Sequence, residues 1–470
     1  MTTVPLDADP RKGSFDAVAE SFLQEEGLPF AHVLDAQAIR QAFARRDALF
    51  AEDAIFSTEI VLWAFLAQAL RDGKGAACTQ AVADIAVYLV QTGGRPPSGD
   101  TGDYCRARAK LDLSALRQLV RHVAEQLGAQ SNEDWLWHAR HAKLVDGFTF
   151  TMPDTPDNQQ AFPQPSSQPP GVGFPIARAC AVLSLATGCL HDLAVGPYAG
   201  KESGETALLR QLLDGFQAGE VAVFDRYFCS FMMLGLLALR GVDVCARLHQ
   251  RRQRNLRQAR RLGPGDHLVM WVRPRRPAWM SEQTYATIPA ALVLRQVEFV
   301  VSEPGKRPET ITVVTTLTDP QAYSAVDIAE LYNCRWNVEL DILQIKHTLH
   351  LDHLRCKRPE MVLRELWVTL LAYNLIRKVI ATAAAVHGKP PRRLGFTLAC
   401  QKILSSWMLL ATGACQETAA IWRLTLKHIA ANEVANRPGR IEPRVLKRRR
   451  HRYPLMTRPR DELRKELATT

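Results

Sequence analysis

At 470 residues the chain is too long for one ordinary hydrophobic core, and its apolar fraction of 47% is typical of globular proteins. The most apolar uncharged run, residues 228–239, has twelve residues, fewer than the ~20 needed to span a bilayer. The N-terminal residues also lack the apolar core of a signal peptide, so we expect roughly two to four domains, a cytoplasmic location and no membrane partner.

The net charge of +11 is concentrated in two segments. Residues 250–276 hold nine arginines and one acid, and residues 437–460 hold ten lysines or arginines and one acid, which leaves the rest of the chain at −6. Two local basic segments on an otherwise acidic chain predict a polyanionic partner, most commonly nucleic acid. For either segment alone, the alternative is a solvated loop or tail.

The ten cysteines are scattered and form no CxxC pair. No set of Cys and His residues shows the paired spacing of a zinc site. We therefore expect reduced thiols in or near the core and no disulfides.

Residues 1–135 are predicted to be mostly helical. Apolar periodicity predicts helices over 55–70 and 82–90, and a turn-rich loop then leads to a basic helix over 101–110. A further helix is predicted over 114–127. The arrangement is compatible with a DNA-reading module, and a plain helical bundle fits it at least as well.

From residue 136 the pattern changes to short apolar strands. The first is predicted to end at Asp146 and a later one at Asp225, with a proline-rich loop and a strand pair turning at Thr187–Gly188 between them. Residues 245–318 are rich in strand formers, and from Ala325 the chain is predicted to be helical to about residue 430.

The stretch from Tyr332 to Lys346 places one carboxylate among three groups suited to binding phosphate. On one continuous helix, Arg335, Glu339 and Lys346 would lie within about 60° of Tyr332 around the axis. The four side chains would then form a single stripe along the helix.

Leu340 and Leu343 flank this stripe and are expected to pack the helix down. Trp336 lies about 100° around the helix from Arg335 and is also expected to pack. Helix faces rich in acids and bases are usually solvated and joined by weak ion pairs. Spacing alone therefore favours an ordinary charged surface.

Asp146, Asp225 and Glu339 are the acids that point to chemistry. The carboxyl edge of a sheet is where sites form in α/β folds, and three carboxylates there can bind two Mg²⁺ or Mn²⁺ ions. Two such ions about 4 Å apart stabilise both oxygens of an in-line phosphoryl displacement. For a single strand-end acid, the alternative is a cap or a turn.

At these positions the chain resembles the insertion-sequence-4 family of DDE transposases. The family signature Tyr-x2-Arg-x3-Glu-x6-Lys is matched at all four positions, by Tyr332, Arg335, Glu339 and Lys346. Four fixed residue types at fixed spacing rarely coincide, so this match is specific.

Other parts of the chain extend the resemblance to nearly its whole length. Asp146-Gly147 and Asp225-Arg226 occur in the right order, and the stretches 261–271, 373–377 and 443–450 also look like the family. Phe148 stands where the family often has Ser or Thr. This departure leaves the implied metal role of Asp146 intact.

The resemblance implies an α/β fold with a ribonuclease H-like catalytic core interrupted by a β-rich insertion, a helical N-terminal domain and a basic C-terminal arm. The implied divisions are a DNA-binding region over 1–135, the core over 136–244 and 319–430, the insertion over 245–318 and the arm over 431–470. Asp146, Asp225 and Glu339 would be the catalytic metal ligands for two Mg²⁺ or Mn²⁺ ions.

The implied partner is double-stranded DNA, both transposon ends and target, bound by a homodimer in the nucleoid. The expected DNA-binding residues are Tyr332, Arg335, Lys346, Arg226, Arg251, Arg252 and Arg254. Trp271 and Trp279 are both candidates for stacking near a flipped base, which needs strong contacts because flipping costs energy.

The resemblance implies cut-and-paste transposition, through a hairpin intermediate in well-studied members. The alternatives are a metal-dependent endonuclease that cuts without joining, and an inactive relic or regulator that only binds DNA.

Overall fold

The computed structural model describes residues 41–43, 55–91, 93–252, 254–301, 308–411, 418–434 and 456–469. Most of the expected basic arm, including the family-like stretch 443–450, lies outside these residues. The part of the arm that is described contains a helix, Arg460–Thr469.

The chain divides into two compact units. The first contains the described residues within 1–139, 183–192 and 340–434, and the second contains those within 140–182, 193–339 and 435–470. The helices in chain order are α1 Thr58–Ala69, α2 Cys78–Gln91, α3 Gly102–Lys110, α4 Leu113–Ala129, α5 Pro156–Ala161, α6 Glu205–Arg210, α7 Phe231–Ala238, α8 Glu282–Thr287, α9 Ala325–Asn333, α10 Trp336–Leu343, α11 Pro359–Val386, α12 Phe396–Ala411, α13 Thr418–Ala431 and α14 Arg460–Thr469.

The first unit is built around α11. This helix is long and apolar enough to cross a membrane by length and composition, but 89% of its most apolar window is buried inside the protein. It packs against α1, α4, α12 and α13, so it is the core helix of this unit. Helix α4 begins where the Asp112 carboxylate accepts hydrogen bonds from the backbone N–H groups of Ser114 and Ala115, at 2.8 and 3.0 Å.

The family-like stretch 373–377 lies on α11 and has a structural role in the first unit. Asn374 donates to the backbone carbonyls of Val120 and Leu190 and accepts a hydrogen bond from Leu190 N–H. The buried Arg377 forms an ion pair with the buried Asp341. These polar groups are satisfied internally, as burial requires.

Most of a nine-stranded sheet lies in the second unit. Its strands are β1 Ala142–Thr151, β2 Ile176–Ser184, β3 Leu190–Pro197, β4 Val221–Phe224, β5 Asp243–Arg247, β6 Arg260–Gly263, β7 Asp266–Val272, β8 Ala291–Val301 and β9 Glu309–Thr315. Their order is β3-β2-β1-β4-β5-β9-β8-β7-β6. The mixed α/β class expected from the sequence is thereby confirmed.

The middle of the sheet is parallel and its second half is antiparallel. Strand β4 pairs in parallel with β1 and β5, and all four of its residues are buried, as expected for a strand covered on both faces. From β5 onward the pairs β5–β9, β9–β8, β8–β7 and β7–β6 are antiparallel.

The strands predicted within residues 245–318 are present as β7, β8 and β9. They continue the central sheet, because β9 pairs directly with β5. Strand β7 alternates buried Val269 and Trp271 with exposed Met270 and Val272, the pattern of a strand with one covered face.

Candidate active site

Asp146 and Asp225 lie at neighbouring positions on adjacent strands. The parallel register of β1 and β4 pairs Val145 with Phe224, so each acid is the next residue after this pair. Asp225 follows the end of β4, as predicted. Asp146 does not end its strand, because β1 continues to Thr151; the expected strand end is the point where pairing with β4 stops.

Asp146 is mostly buried, and its surroundings raise its pKa to about 6. Burial is the main cause. The backbone N–H of Gly147, which donates to Asp146 Oδ1 at 2.8 Å, and the Arg335 guanidinium oppose it. The negative charges of Asp225 and Glu339 raise the pKa further, so the three carboxylates are near enough to repel one another.

Arg335 lies between two of these acids. Its Nη1 is 3.5 Å from Asp146 Oδ2, and its Nη2 is 3.1 Å from Glu339 Oε1. The side chain is only 9% exposed, and no described residue accepts a hydrogen bond from its buried Nε. Arg335 thus lies beside Glu339, as the sequence predicted. Its contacts in this structure are with carboxylates, whereas the expected partner was DNA phosphate.

The single helical stripe predicted over residues 332–346 is interrupted. Helix α9 ends at Asn333 and α10 begins at Trp336, because the N–H groups of Arg335, Asn337 and Val338 donate to the third residue before them. Such tight i→i+3 hydrogen bonds form a 3₁₀-type turn, which changes the angle between residues before and after it.

The expectation that Leu340 and Leu343 pack the helix down is also wrong. They are 55% and 51% exposed, whereas Val338, Ile342 and Ile345 are buried. The turn before α10 rotates a different apolar row inward, so the buried side could not be read from the spacing of one ideal helix.

The donor set suits a hard divalent cation. Carboxylate oxygens are the ligands that Mg²⁺ and Mn²⁺ prefer, and the Arg335 guanidinium shows that positive charge is accommodated between Asp146 and Glu339. Across the residues that the structure describes, no three Asp, Glu, His or Cys side chains are close enough to enclose a metal ion. The three acids are thus neighbours without forming a closed coordination sphere.

A cavity of about 260 Å³ opens beside Asp225. Its walls include Arg226, Tyr332, Arg335 and Trp336. Tyr332 is 5% exposed, and burial raises the pKa of its phenol to about 12. The phenol is therefore protonated at neutral pH and can donate a hydrogen bond.

Lys346 lies beyond α10 in a π-helical turn, Gln344–Thr348. Its Nζ is 3.4 Å from Asp352 Oδ1. A π-turn adds a residue to the helical repeat, so the angle predicted for Lys346 on an ideal helix does not apply.

The four expected DNA-binding arginines other than Arg335 have different surroundings. Arg226 borders the cavity and donates to Gln250, and Arg251 is exposed. Arg252 stacks over the Trp271 ring at 3.7 Å, and Arg254 forms an ion pair with Glu298. Of these four, Arg226 is the one that lines the cavity beside Asp225.

The three tryptophans differ in exposure. Trp271 is buried, and Trp279 is 39% exposed with Arg210 stacked on it at 4.0 Å. Trp336 is 55% exposed, so the expectation that it packs inside is wrong. Its ring instead lies against the Arg335 guanidinium, 4.6 Å from ring centre to Cζ.

Glu205 was missed by the sequence reasoning. A methyl group added at Gly147 would lie 2.6 Å from Glu205 Oε1, so this glycine leaves room for the Glu205 carboxylate against β1. Burial raises the pKa of Glu205, Arg178 opposes this, and the charge of Asp225 raises it further. The glycine after Asp146 was the available signal, since glycine in a strand often marks a close approach.

The chain is similar in sequence to known transposases. The family described as "Transposase DDE domain" matches residues 137–375. The transposase InsG of insertion sequence element IS4 from Escherichia coli K12 is 26% identical over 90% of this chain and 92% of its own. The putative transposase InsL of IS186A from the same organism is 36% identical over 18% of this chain and 22% of its own.

Among solved structures, the piggyBac transposase synaptic complex with hairpin DNA is similar over 91% of this chain and 88% of its own, with 11% identity and a TM-score of 0.42. The family match spans just over half of the chain and includes all three acids. The chain therefore belongs to the Transposase DDE domain family and is a DDE-type insertion-sequence transposase.

Proposed function

We propose that this transposase performs cut-and-paste transposition, with Asp146, Asp225 and Glu339 as the ligands of two Mg²⁺ or Mn²⁺ ions. The observation that carries the proposal is the pair of adjacent acids on β1 and β4, joined to Glu339 through Arg335. Buried like charges are costly, and proteins commonly retain perturbed carboxylates at functional sites.

When bound, the two ions supply the charge that stabilises the attacking and leaving oxygens of the displaced phosphate. The protein's own groups hold the DNA. Arg226 and Arg335 can each make bidentate contacts to phosphate, and the protonated Tyr332 phenol donates one hydrogen bond. When the acids bind cations, Arg335 must exchange its carboxylate partners for phosphate. Cation binding by the acids is thereby linked to DNA binding by Arg335.

The deciding experiment compares Glu339→Gln with Glu330→Gln. Glu330 is an exposed residue of α9 and serves as the matched control. With Mg²⁺ and DNA carrying the element's ends, Glu339→Gln is expected to abolish both cleavage and joining while binding is retained, and Glu330→Gln is expected to keep all three activities.

Pre-cut ends separate the proposal from its rivals. Joining of these ends to target DNA by the unmodified protein supports transposition, whereas cleavage without any joined product indicates an endonuclease. If the Glu339→Gln protein cuts as well as the unmodified one, the assignment of the acids is wrong.

We also propose a ribonuclease H-like core that is interrupted between β5 and β9. The strand order β3-β2-β1-β4-β5, with β1, β4 and β5 parallel, supports it.

We further propose that the protein acts in the nucleoid as a homodimer that holds two transposon ends. Light scattering of the complex with end DNA tests the dimer: a mass of one protein per duplex would contradict it.

A further inference from the structure

A cavity of about 710 Å³ opens within the first unit. It is bordered by α1, α3, the segment 349–358 and the start of α11. The lysine and arginine residues on its walls are Arg71, Arg106, Arg108, Arg355, Lys357 and Arg358. Among the described residues that line it, Glu365 is the one acid, so the cavity is strongly cationic.

Glu365 does little to neutralise these cations. Its carboxylate accepts hydrogen bonds from the backbone N–H groups of Arg355, at 3.0 and 3.1 Å, and of Cys356, at 2.9 Å. Its oxygens are therefore committed to the backbone.

Arg108 differs from the arginines near it. Arg71 forms an ion pair with Asp84, and Arg106 forms one with Asp103. Within the described part of the chain, no carboxylate pairs with Arg108. A partly buried guanidinium without an acid gains strongly from an anion, because its desolvation is otherwise uncompensated.

The Arg108 side chain is held in place by its neighbours. Its Cζ lies 4.7 Å from the centre of the Phe65 ring and 5.2 Å from that of Tyr104. Its Nη1 makes a long hydrogen bond of 3.4 Å to Gln68 Oε1. Its Nε is buried, and no described residue accepts a hydrogen bond from it, so the guanidinium is preorganised with donor capacity left over.

We propose that this cavity is a phosphate subsite for DNA, in which Arg108 binds a backbone phosphate and Arg358 at the rim assists it. The inference rests on the proposed function for the identity of the polyanion. Arginine suits the role because its fork of N–H donors matches phosphate oxygens. The contact is to the backbone, so it contributes affinity and positioning without reading sequence.

The test measures DNA affinity by fluorescence anisotropy across a series of KCl concentrations, in EDTA so that no cleavage occurs. The probe is a labelled duplex, and the proteins are full-length Arg108→Gln, Arg358→Gln and Lys110→Gln. Lys110 is the matched control, because it is an exposed cation on the same helix and does not line the cavity. Thermal melting with and without inorganic phosphate or AMP is measured in parallel.

Each lost phosphate contact lowers the magnitude of the slope of log K against log[KCl] by about 0.9. We expect that loss for Arg108→Gln, a loss of the same sign for Arg358→Gln and an unchanged slope for Lys110→Gln. If Arg108→Gln does not fold, Arg358→Gln alone decides, because Arg358 is exposed.

Unchanged slopes in both Arg108→Gln and Arg358→Gln, or an equal loss in Lys110→Gln, would overturn the proposal. So would an unchanged DNA slope with lost stabilisation by AMP or phosphate, which would make the cavity a site for a free anion. These outcomes are independent of the Glu339→Gln result, which tests cleavage, so failure of the subsite and failure of the proposed function are distinguishable.

Discussion

Replacing Asp146 with asparagine is expected to remove a pH-dependent loss of stability. The pKa of Asp146 is about 6 in the folded protein, against an ordinary value of 3.8. Because the folded state binds its proton more tightly, stability falls as the pH rises through this window and the loss is complete above it. The isosteric amide carries no proton to lose and escapes this penalty.

The size of the effect follows from the two pKa values. Their separation corresponds to about 3 kcal/mol in total, of which about 1.4 kcal/mol falls between about pH 5 and about pH 8. Asp146→Asn should therefore gain stability relative to the unmodified protein by about that amount across this range, while losing Mg²⁺-dependent cleavage. This is the trade-off expected where function requires a destabilising charge.

Urea denaturation of both proteins in EDTA, at a series of pH values, measures this difference. The comparison uses the change in unfolding free energy with pH. Any pH-independent effect of losing the contact between Asp146 and Arg335 therefore cancels. A difference in unfolding free energy that stays flat with pH, or that favours the unmodified protein more as the pH rises, would refute the reasoning.

Three further predictions concern packing and DNA contact. Arg295 is fully buried and donates two hydrogen bonds, of 2.6 and 2.8 Å, to the Asp266 carboxylate. Asp266→Ala leaves this buried charge without its partner, so urea denaturation should show a loss of about 3–5 kcal/mol in the free energy of unfolding. The same change at Asp214, whose side chain is 93% exposed, should cost less than about 1 kcal/mol. Trp336→Ala should weaken DNA binding by about 1–3 kcal/mol if the exposed ring stacks on a base, and unaltered anisotropy titrations would argue against that contact. Gly147→Ala should cost about 1–3 kcal/mol by crowding Glu205, and Glu205→Ala should restore most of it in the double variant; purely additive losses would contradict the crowding.

The three acids that we propose as metal ligands could be singled out from the sequence because their signals are local. Asp225 follows a run of four apolar residues that forms β4, and Glu339 occupies a fixed place in a four-residue signature. Such patterns depend on the period of a strand or helix and on residue type, and neither requires knowledge of the fold. The strands β7, β8 and β9 were predictable for the same reason.

The course of the chain from Tyr332 to Lys346 was not readable in the same way. The break at Arg335 and the π-turn near Lys346 are deviations from ideal helical geometry, and periodicity assumes that geometry. Which row of side chains becomes buried then depends on tertiary packing, so Leu340 and Leu343 are exposed where the ideal helix would bury them.

Amino-acid order by itself determined which residues carry charge, and it predicted the family and the three acids that we propose as metal ligands. Only the tertiary structure decided how they meet. The parallel register of β1 and β4 places Asp146 beside Asp225, and the turn before Trp336 directs Arg335 between Asp146 and Glu339. Glu205 reaches the space above Gly147 from another element. Contacts of this kind join residues far apart in the chain, so no local pattern encodes them.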